Sequence, residues 1–232
     1  MTDPSPDRCN RCGRVPQAAD KFCAECGAFL HDAWLDHRLL LALDFESHGR
    51  SRDAQKELER LVSAEPDHVL ANHLLGTLYF HQGMLDRAIE RYEAALRPAC
   101  DFVLGFYDLG VALYHRGNML AAANAFRRCL QINPQYKAAH YRLALSLFHS
   151  GHLDDALEHF RMAVILTPEY LMAHYHMGVI YERRGDLDNA VREFQMSLEE
   201  GLGETSSLHH LTTIRAKNGK VESDRHLERV TE

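Results

Sequence analysis

Four cysteines carry the most definite chemistry in this chain. They form two copies of one knuckle, Cys9-x-x-Cys12-Gly13 and Cys23-x-x-Cys26-Gly27, ten residues apart. A CxxC turn aims two sulfurs at a single point. The glycine after it permits the tight backbone that brings amide donors near the thiolates. Two such knuckles complete a tetrahedron with Zn–S bonds of about 2.3 Å. With cysteine at all four positions no coordination site is left open. The expected cofactor is therefore one structural Zn2+ on Cys9, Cys12, Cys23 and Cys26, not a catalytic ion. A unit this small cannot fold on apolar burial alone, and the metal supplies its folding energy.

The stretch Lys21-Phe22-Cys23-Ala24-Glu25-Cys26-Gly27-Ala28-Phe29-Leu30 resembles the short zinc-ribbon family. An iron site of rubredoxin type shares the knuckle, but rubredoxins place their knuckles much further apart. A redox dithiol sits at a strand–helix junction, and none is expected here. Residues 1–31 are assigned to this ribbon. The resemblance implies a folded cap or a protein-contact module. Zinc ribbons also contact nucleic acid, and Arg8, Arg11, Arg14 and Lys21 make this corner basic. Asp3, Asp7, Asp20 and Glu25 offset them.

The other residues with chemical potential have blander readings. Of sixteen histidines, His81, His115 and His149 recur at one repeat position. Packed helices stand about 8–10 Å apart, too far for one ion to be shared along that row. These imidazoles are read as polar groove residues that donate hydrogen bonds. The pairs His174 with His176 and His209 with His210 are read as surface or packing residues. Cys129 shares a column with Leu61, Ala95, Ala163 and Ser197 and is read as a small buried residue. Cys100 falls in a turn with no nucleophile–base pair beside it in sequence. No Walker loop, GxSxG, HExxH or dinucleotide fingerprint occurs. Little sequence remains outside the repeats and the ribbon to build an active site, so no enzyme activity is expected.

The elements that must position these residues announce themselves by period. Gly49, Gly83, Gly117, Gly151 and Gly185 are spaced by 34 residues, and Gly219 continues the series. Five residues after them stand Ala54, Ala88, Ala122, Ala156 and Ala190. Seven before stands a small column: Ala42, Gly76, Gly110, Ala144 and Gly178. One before that lie Leu41, Leu75, Leu109, Leu143 and Met177. Nine after stands a column of large apolar residues: Leu58, Tyr92, Phe126, Phe160 and Phe194. Pro66, Pro134 and Pro168 close three of the repeats. The small column lets two helices approach closely. The glycine ends the first helix in a left-handed conformation. The alanine faces the partner helix, and the proline stops the second helix. Between the columns apolar residues recur at helical spacing.

These residues resemble the tetratricopeptide repeat family, most specifically in Tyr141-Arg142-Leu143-Ala144…Gly151…Ala156…Phe160…Ala163…Pro168. The resemblance implies an all-α, right-handed superhelical solenoid. Its five helix pairs are 35–68, 69–102, 103–136, 137–170 and 171–204, together 32–204. A capping helix and polar tail follow over 205–232. There are departures. The family's bulky residue near the start of the first helix is Phe106 in one repeat, but Arg38, Asn72, His140 and His174 elsewhere. Cys100 stands where one closing proline belongs, with Pro98 two residues earlier, and Gly201-Leu202-Gly203 replaces another closure. Ser206 or Ser207 is expected to cap a helix that docks Leu208, Leu211 and Ile214 onto the last repeat, with Arg215 and Lys217 facing water. A short helix is expected around Val221 to Val230. Leu39, Leu40, Leu41 and Leu43 make the first helix apolar nearly all round, which calls for burial, with Phe29, Leu30 and Trp34 folded over it.

In this family the first helices line a concave groove that takes the ligand. By that resemblance the groove here comprises His73, Thr77, Phe80 and His81; Tyr107, Val111, Tyr114 and His115; Tyr141, Leu145, Phe148 and His149; and Tyr175. Relatives that grip acidic chaperone tails present Lys and Asn in the first repeat, where Leu39 and Leu43 stand here. That ligand class is rejected. The groove suits an apolar or aromatic segment of a protein partner, with tyrosine and phenylalanine as anchors.

Composition sets the outer bounds. The chain has 232 residues, 46% hydrophobic and 25% charged, and a formal charge of −7. That balance argues against bulk electrostatic binding to nucleic acid or anionic membrane. No apolar run reaches bilayer or signal-peptide length, and the expected location is the cytoplasm. The expected function is a protein-interaction scaffold or adaptor. Two alternatives are a nucleic-acid-associated regulator that uses the ribbon as its contact module, and a self-assembling scaffold.

Overall fold

The computed structural model describes Val15 and residues 37–168, 170–198, 207–214 and 216. The four ribbon cysteines, Phe29, Leu30, Trp34 and the expected helix at Val221 to Val230 lie outside the described residues. Among the described residues all regular structure is helical. The helices are α1 (His37–Ser47), α2 (Ser51–Ala64), α3 (Val69–His81), α4 (Leu85–Leu96), α5 (Val103–His115), α6 (Met119–Ile132), α7 (Lys137–His149), α8 (Leu153–Leu166), α9 (Leu171–Arg183) and α10 (Leu187–Met196). A further helical segment, α11, covers 207–214. The chain divides into two compact units, Met1–Ser150 and Gly151–Glu232. The first holds α1–α7 and the second α8–α11.

Within the first unit α1 packs on α2, α3 on α4 and α5 on α6. Each second helix then packs on the next first helix, and α3, α5 and α7 are neighbours. Within the second unit α9 packs on both α8 and α10. The period-setting glycines do what their spacing predicts. All five sit at positive φ, between +72° and +89°, a region that residues with a Cβ adopt at a cost. At four of them the next residue's N–H reaches back over the turn, as Met84 does to the Tyr79 carbonyl (2.9 Å) and Asn118 to that of Leu113 (2.9 Å). This is the Schellman closure, which satisfies carbonyls that a helix end leaves orphaned.

Second helices stop by a different device. Asn133 and Thr167 leave the helix in extended conformation just before Pro134 and Pro168, and Glu65 leaves it at φ −131°, ψ 83° just before Pro66. Proline forbids the helical region to the residue before it. The second repeat lacks that proline, and Pro98 comes early. There α4 ends at Leu96, and the longer turn drives Phe102 into the core at 1% exposure. A Cβ on Gly105 would lie 2.6 Å from the Phe102 ring, so glycine at 105 makes room for it.

The small column is a seat for the large column of the same repeat. A Cβ on Gly76 would meet the Tyr92 ring at 2.9 Å, one on Gly110 the Phe126 ring at 2.6 Å, and one on Gly178 the Phe194 ring at 2.7 Å. The three rings are 0–2% exposed. Full burial of such a side chain stabilises by about 1.5–3 kcal/mol.

Three of the four polar substitutes at the family's bulky position are buried and bonded, while Arg38 is exposed. Asn72 donates to the Pro66 carbonyl (2.7 Å), and His140 Nε2 donates to that of Pro134 (2.8 Å). His174 Nδ1 pairs with the Glu193 carboxylate at 2.7 Å. In the first helix Leu39 is fully buried, Leu41 and Leu43 are half-buried and Leu40 is 48% exposed, so the expected all-round burial holds on one side only. In α11, Leu211 and Ile214 are buried as expected, while Leu208 is exposed. Ser207 is buried instead, in contact with Ser197 Oγ at 2.8 Å.

Replacing Gly110 with alanine tests the seat. Alanine is the better helix former by about 1 kcal/mol, but displacing the Phe126 ring costs about 1–3 kcal/mol. The expected outcome is a lower unfolding midpoint by circular dichroism, recovered in part by adding Phe126→Leu. The first repeat already combines Ala42 with Leu58 in these columns.

Candidate functional site

Twelve of the thirteen residues assigned to the groove lie on α3, α5 and α7, within the first unit. The rows at the C-terminal ends of these helices form a ladder of rings. The His115 imidazole meets the Phe80 ring edge-on at 5.5 Å, and His149 meets Tyr114 at 5.8 Å. Within each helix the same histidine also lies against its neighbour: His81 on Phe80 at 5.8 Å, His115 on Tyr114 at 5.9 Å and His149 on Phe148 at 5.4 Å. Phe80, Tyr114 and Phe148 are half-buried, whereas His81, His115 and His149 are exposed. The Tyr114 hydroxyl pKa is raised by burial, partly countered by the nearby Arg142 charge.

Deeper positions share their side chains with the core. Tyr107 packs on Phe126 (5.8 Å) and Tyr136 (5.2 Å). Leu145 is 7% exposed, and Thr77, Val111 and Tyr141 are half-buried. His73 is 6% exposed and joins two repeats: its Nε2 lies 2.7 Å from the Asp108 carboxylate, with the rings of Phe102 and Tyr92 at 5.0 and 5.6 Å. Its Nδ1 is buried with no hydrogen-bond partner among the described residues. Tyr92 donates to Thr77 Oγ1 at 3.2 Å, and burial carries its pKa well above the usual phenol range.

The thirteenth residue, Tyr175, belongs to the second unit. It is half-buried and packs on Phe194 (5.9 Å) and His210 (5.9 Å). His210 of α11 stacks flat on Phe194 at 4.9 Å, and its Nδ1 lies 2.6 Å from the Glu182 carboxylate. His176 stacks flat on Phe160 at 5.3 Å. His176 and His210 share a column nine residues before the glycines, which also contains Asp108 and Arg142. Each member follows a groove position of its own helix, but the four share no residue type, so the column carries no sequence signal of its own. Among the described residues no group of three or more metal-ligating side chains is placed to hold an ion, and no helix is long and apolar enough to cross a membrane.

A tetratricopeptide-repeat sequence profile matches residues 39–102, 107–170 and 141–201, well over half of the chain. The chain belongs to the tetratricopeptide repeat family. Solved TPR structures share its fold. The crystal structure of MamA is 26% identical, with a TM-score of 0.66 over 72% of this chain and 95% of that one. MamA from Desulfovibrio magneticus, from residue 41 on, is 20% identical with a TM-score of 0.66, over 73% and 99%. YrrB, a TPR protein with an unusual peptide-binding site, is 21% identical with a TM-score of 0.70, over 75% and 89%. No curated protein is significantly similar in sequence.

Burial separates the two described cysteines of this TPR chain. Cys129 is fully buried, and its thiol is pushed up to about 12 by desolvation, with the Asp108 charge adding to it. Cys100 is exposed in its turn. Alkylation of the native chain at pH 8 followed by peptide mapping should modify Cys100 and spare Cys129, which reacts only after denaturation.

Proposed function

We propose that this TPR protein is a non-enzymatic interaction scaffold that takes an apolar or aromatic peptide segment along α3, α5 and α7. The observation that carries this is the ring ladder of Phe80, Tyr114 and Phe148 with His81, His115 and His149. It offers half-buried aromatic faces and exposed imidazoles at a regular spacing. Rigid aromatic side chains bury large area at low entropic cost, which suits them as anchors. The peptide-binding site of YrrB gives this use of the fold a precedent. Tyr107 and Tyr141 stand two turns before Tyr114 and Phe148 on α5 and α7, and both are half-buried.

The experiment is a comparison of partner capture by the wild-type chain and by a variant with Phe80→Ala, Tyr114→Ala and Phe148→Ala. Circular dichroism first checks that helicity is retained. Loss of the captured partner with this variant supports the groove. Full retention would sink it.

The four cysteines are part of the same proposal. Their donor set, four thiolates with a closed first coordination sphere, fits Zn2+ and gives it a structural role at the N-terminus. Metal analysis of the purified protein should find one zinc per chain, lost with Cys23→Ser and Cys26→Ser together. A chain isolated under metal-replete conditions without zinc, or with iron in its place, would overturn this assignment.

A further inference from the structure

The walls of the groove are poor in charge. α3 carries no Asp, Glu, Lys or Arg, α5 carries Asp108, and α7 carries Lys137 and Arg142. The carboxylate of Asp108 is taken by His73. In a chain with a formal charge of −7, acids have been kept off this face. Arg142 is the exception in the other sense. It is half-buried, and among the described residues no carboxylate pairs with it and no acceptor hydrogen-bonds its guanidinium. Yet it is close enough to Tyr114 for its charge to act on the phenol. A guanidinium presents donors in a planar fork that matches a carboxylate, and leaving it unpaired forfeits that interaction. His149 lies two helical turns beyond Arg142 on α7 and meets the same Tyr114 ring at 5.8 Å, with its imidazole exposed.

We propose that the groove's occupant is an aromatic or apolar segment of a partner protein that carries an acidic side chain, Asp or Glu, seated on Arg142 with His149 as a flanking donor. This rests on the groove reading given above and adds the charge of the ligand to it. Charge complementarity selects the occupant: Arg142 is an unpaired cation on a face whose one acid, Asp108, is engaged by His73, so an acidic segment is favoured over a basic one. The site lies between α5 and α7, in the middle of the repeats. It is distinct from the first-repeat positions, occupied here by Leu39 and Leu43, through which relatives grip acidic tails.

Random peptides displayed on phage and selected by the full chain supply the probe. Synthetic copies, acetylated and amidated so that no terminal charge contributes, are then titrated by fluorescence polarisation. The expected peptides combine Trp, Phe or Leu with an Asp or Glu. Arg142→Gln should weaken them about tenfold, as loss of a charged hydrogen bond does, while Arg142→Lys keeps part of the affinity. Changing the peptide's acid to its amide should cost the same, and the two changes together little more than either alone. Recovery of groove-dependent peptides without acids, or binding changed less than about twofold by Arg142→Gln, overturns the proposal and leaves the groove standing. Recovery of no peptide sensitive to the Phe80, Tyr114 and Phe148 substitutions overturns the groove itself, and this proposal with it.

Discussion

The Phe126 ring lies against the bare backbone of Gly110, so close that a single added methyl would overlap it at 2.6 Å. The same seat recurs with Tyr92 on Gly76 in the first unit and with Phe194 on Gly178 in the second. Because no side chain intervenes, the ring fixes how near the two helices of a pair can come. The next first helix then closes over the ring from the other side: His176 stacks on Phe160 and His210 on Phe194, at 5.3 and 4.9 Å and nearly parallel. In the second unit the Phe194 ring is therefore part of two contacts, one inside its repeat and one to the helix that follows. The spacing of first helices, and with it the spacing of the rows that they present, follows from that double contact.

Apolar packing sets distance but not register, and the buried polar residues add the register. A buried donor or acceptor without a partner costs about 1–3 kcal/mol, which penalises slipped arrangements. Asn72 and His140 each reach the carbonyl of the proline that closes the preceding repeat. His73 reaches Asp108 on the next first helix, and His174 reaches Glu193 on its own repeat's second helix. The family's usual bulky residue at the first-helix start would fill space without specifying a partner. Here three of those positions trade volume for directed hydrogen bonds, and the helices still pack around them.

The repeat was legible because its columns are set by sterics that few residues satisfy: positive φ at the turn glycine, glycine or alanine in the small column, and proline after the second helix in three repeats. Those constraints fixed the helix pairs and the order of elements. The column nine residues before each glycine was not legible in the same way, since Asp108, Arg142, His176 and His210 share no residue type. What they share is a place beside the preceding repeat, which appears only once the helices are packed. His73 read as a groove residue for the same reason. Its position in the row is that of Tyr107 and Tyr141, and only the contact with Asp108 takes it into the interior. Leu208 shows the converse: it occupies the column of Asn72 and His174 but is 56% exposed in α11.

This division of labour confines specificity to a narrow band. Positions that carry the core, such as Leu75, Leu109 and Leu143, lie on the side of the first helices that meets the second helices, at 0–8% exposure. Some groove positions are drawn into the core as well: Leu145 is buried, Tyr107 is packed on Phe126 and Tyr136, and His73 is tied to Asp108. Changing them to suit a new ligand would disturb the packing that spaces the rows. The final turns of α3, α5 and α7 are less tightly constrained, with their aromatic residues half-buried and their histidines exposed. There the backbone is already closed by the glycine turn, and His115 meets Phe80 and His149 meets Tyr114 across repeats. Residues least drawn into the core are those through which a repeat protein can acquire a partner, and in this chain they have become aromatic and imidazole side by side.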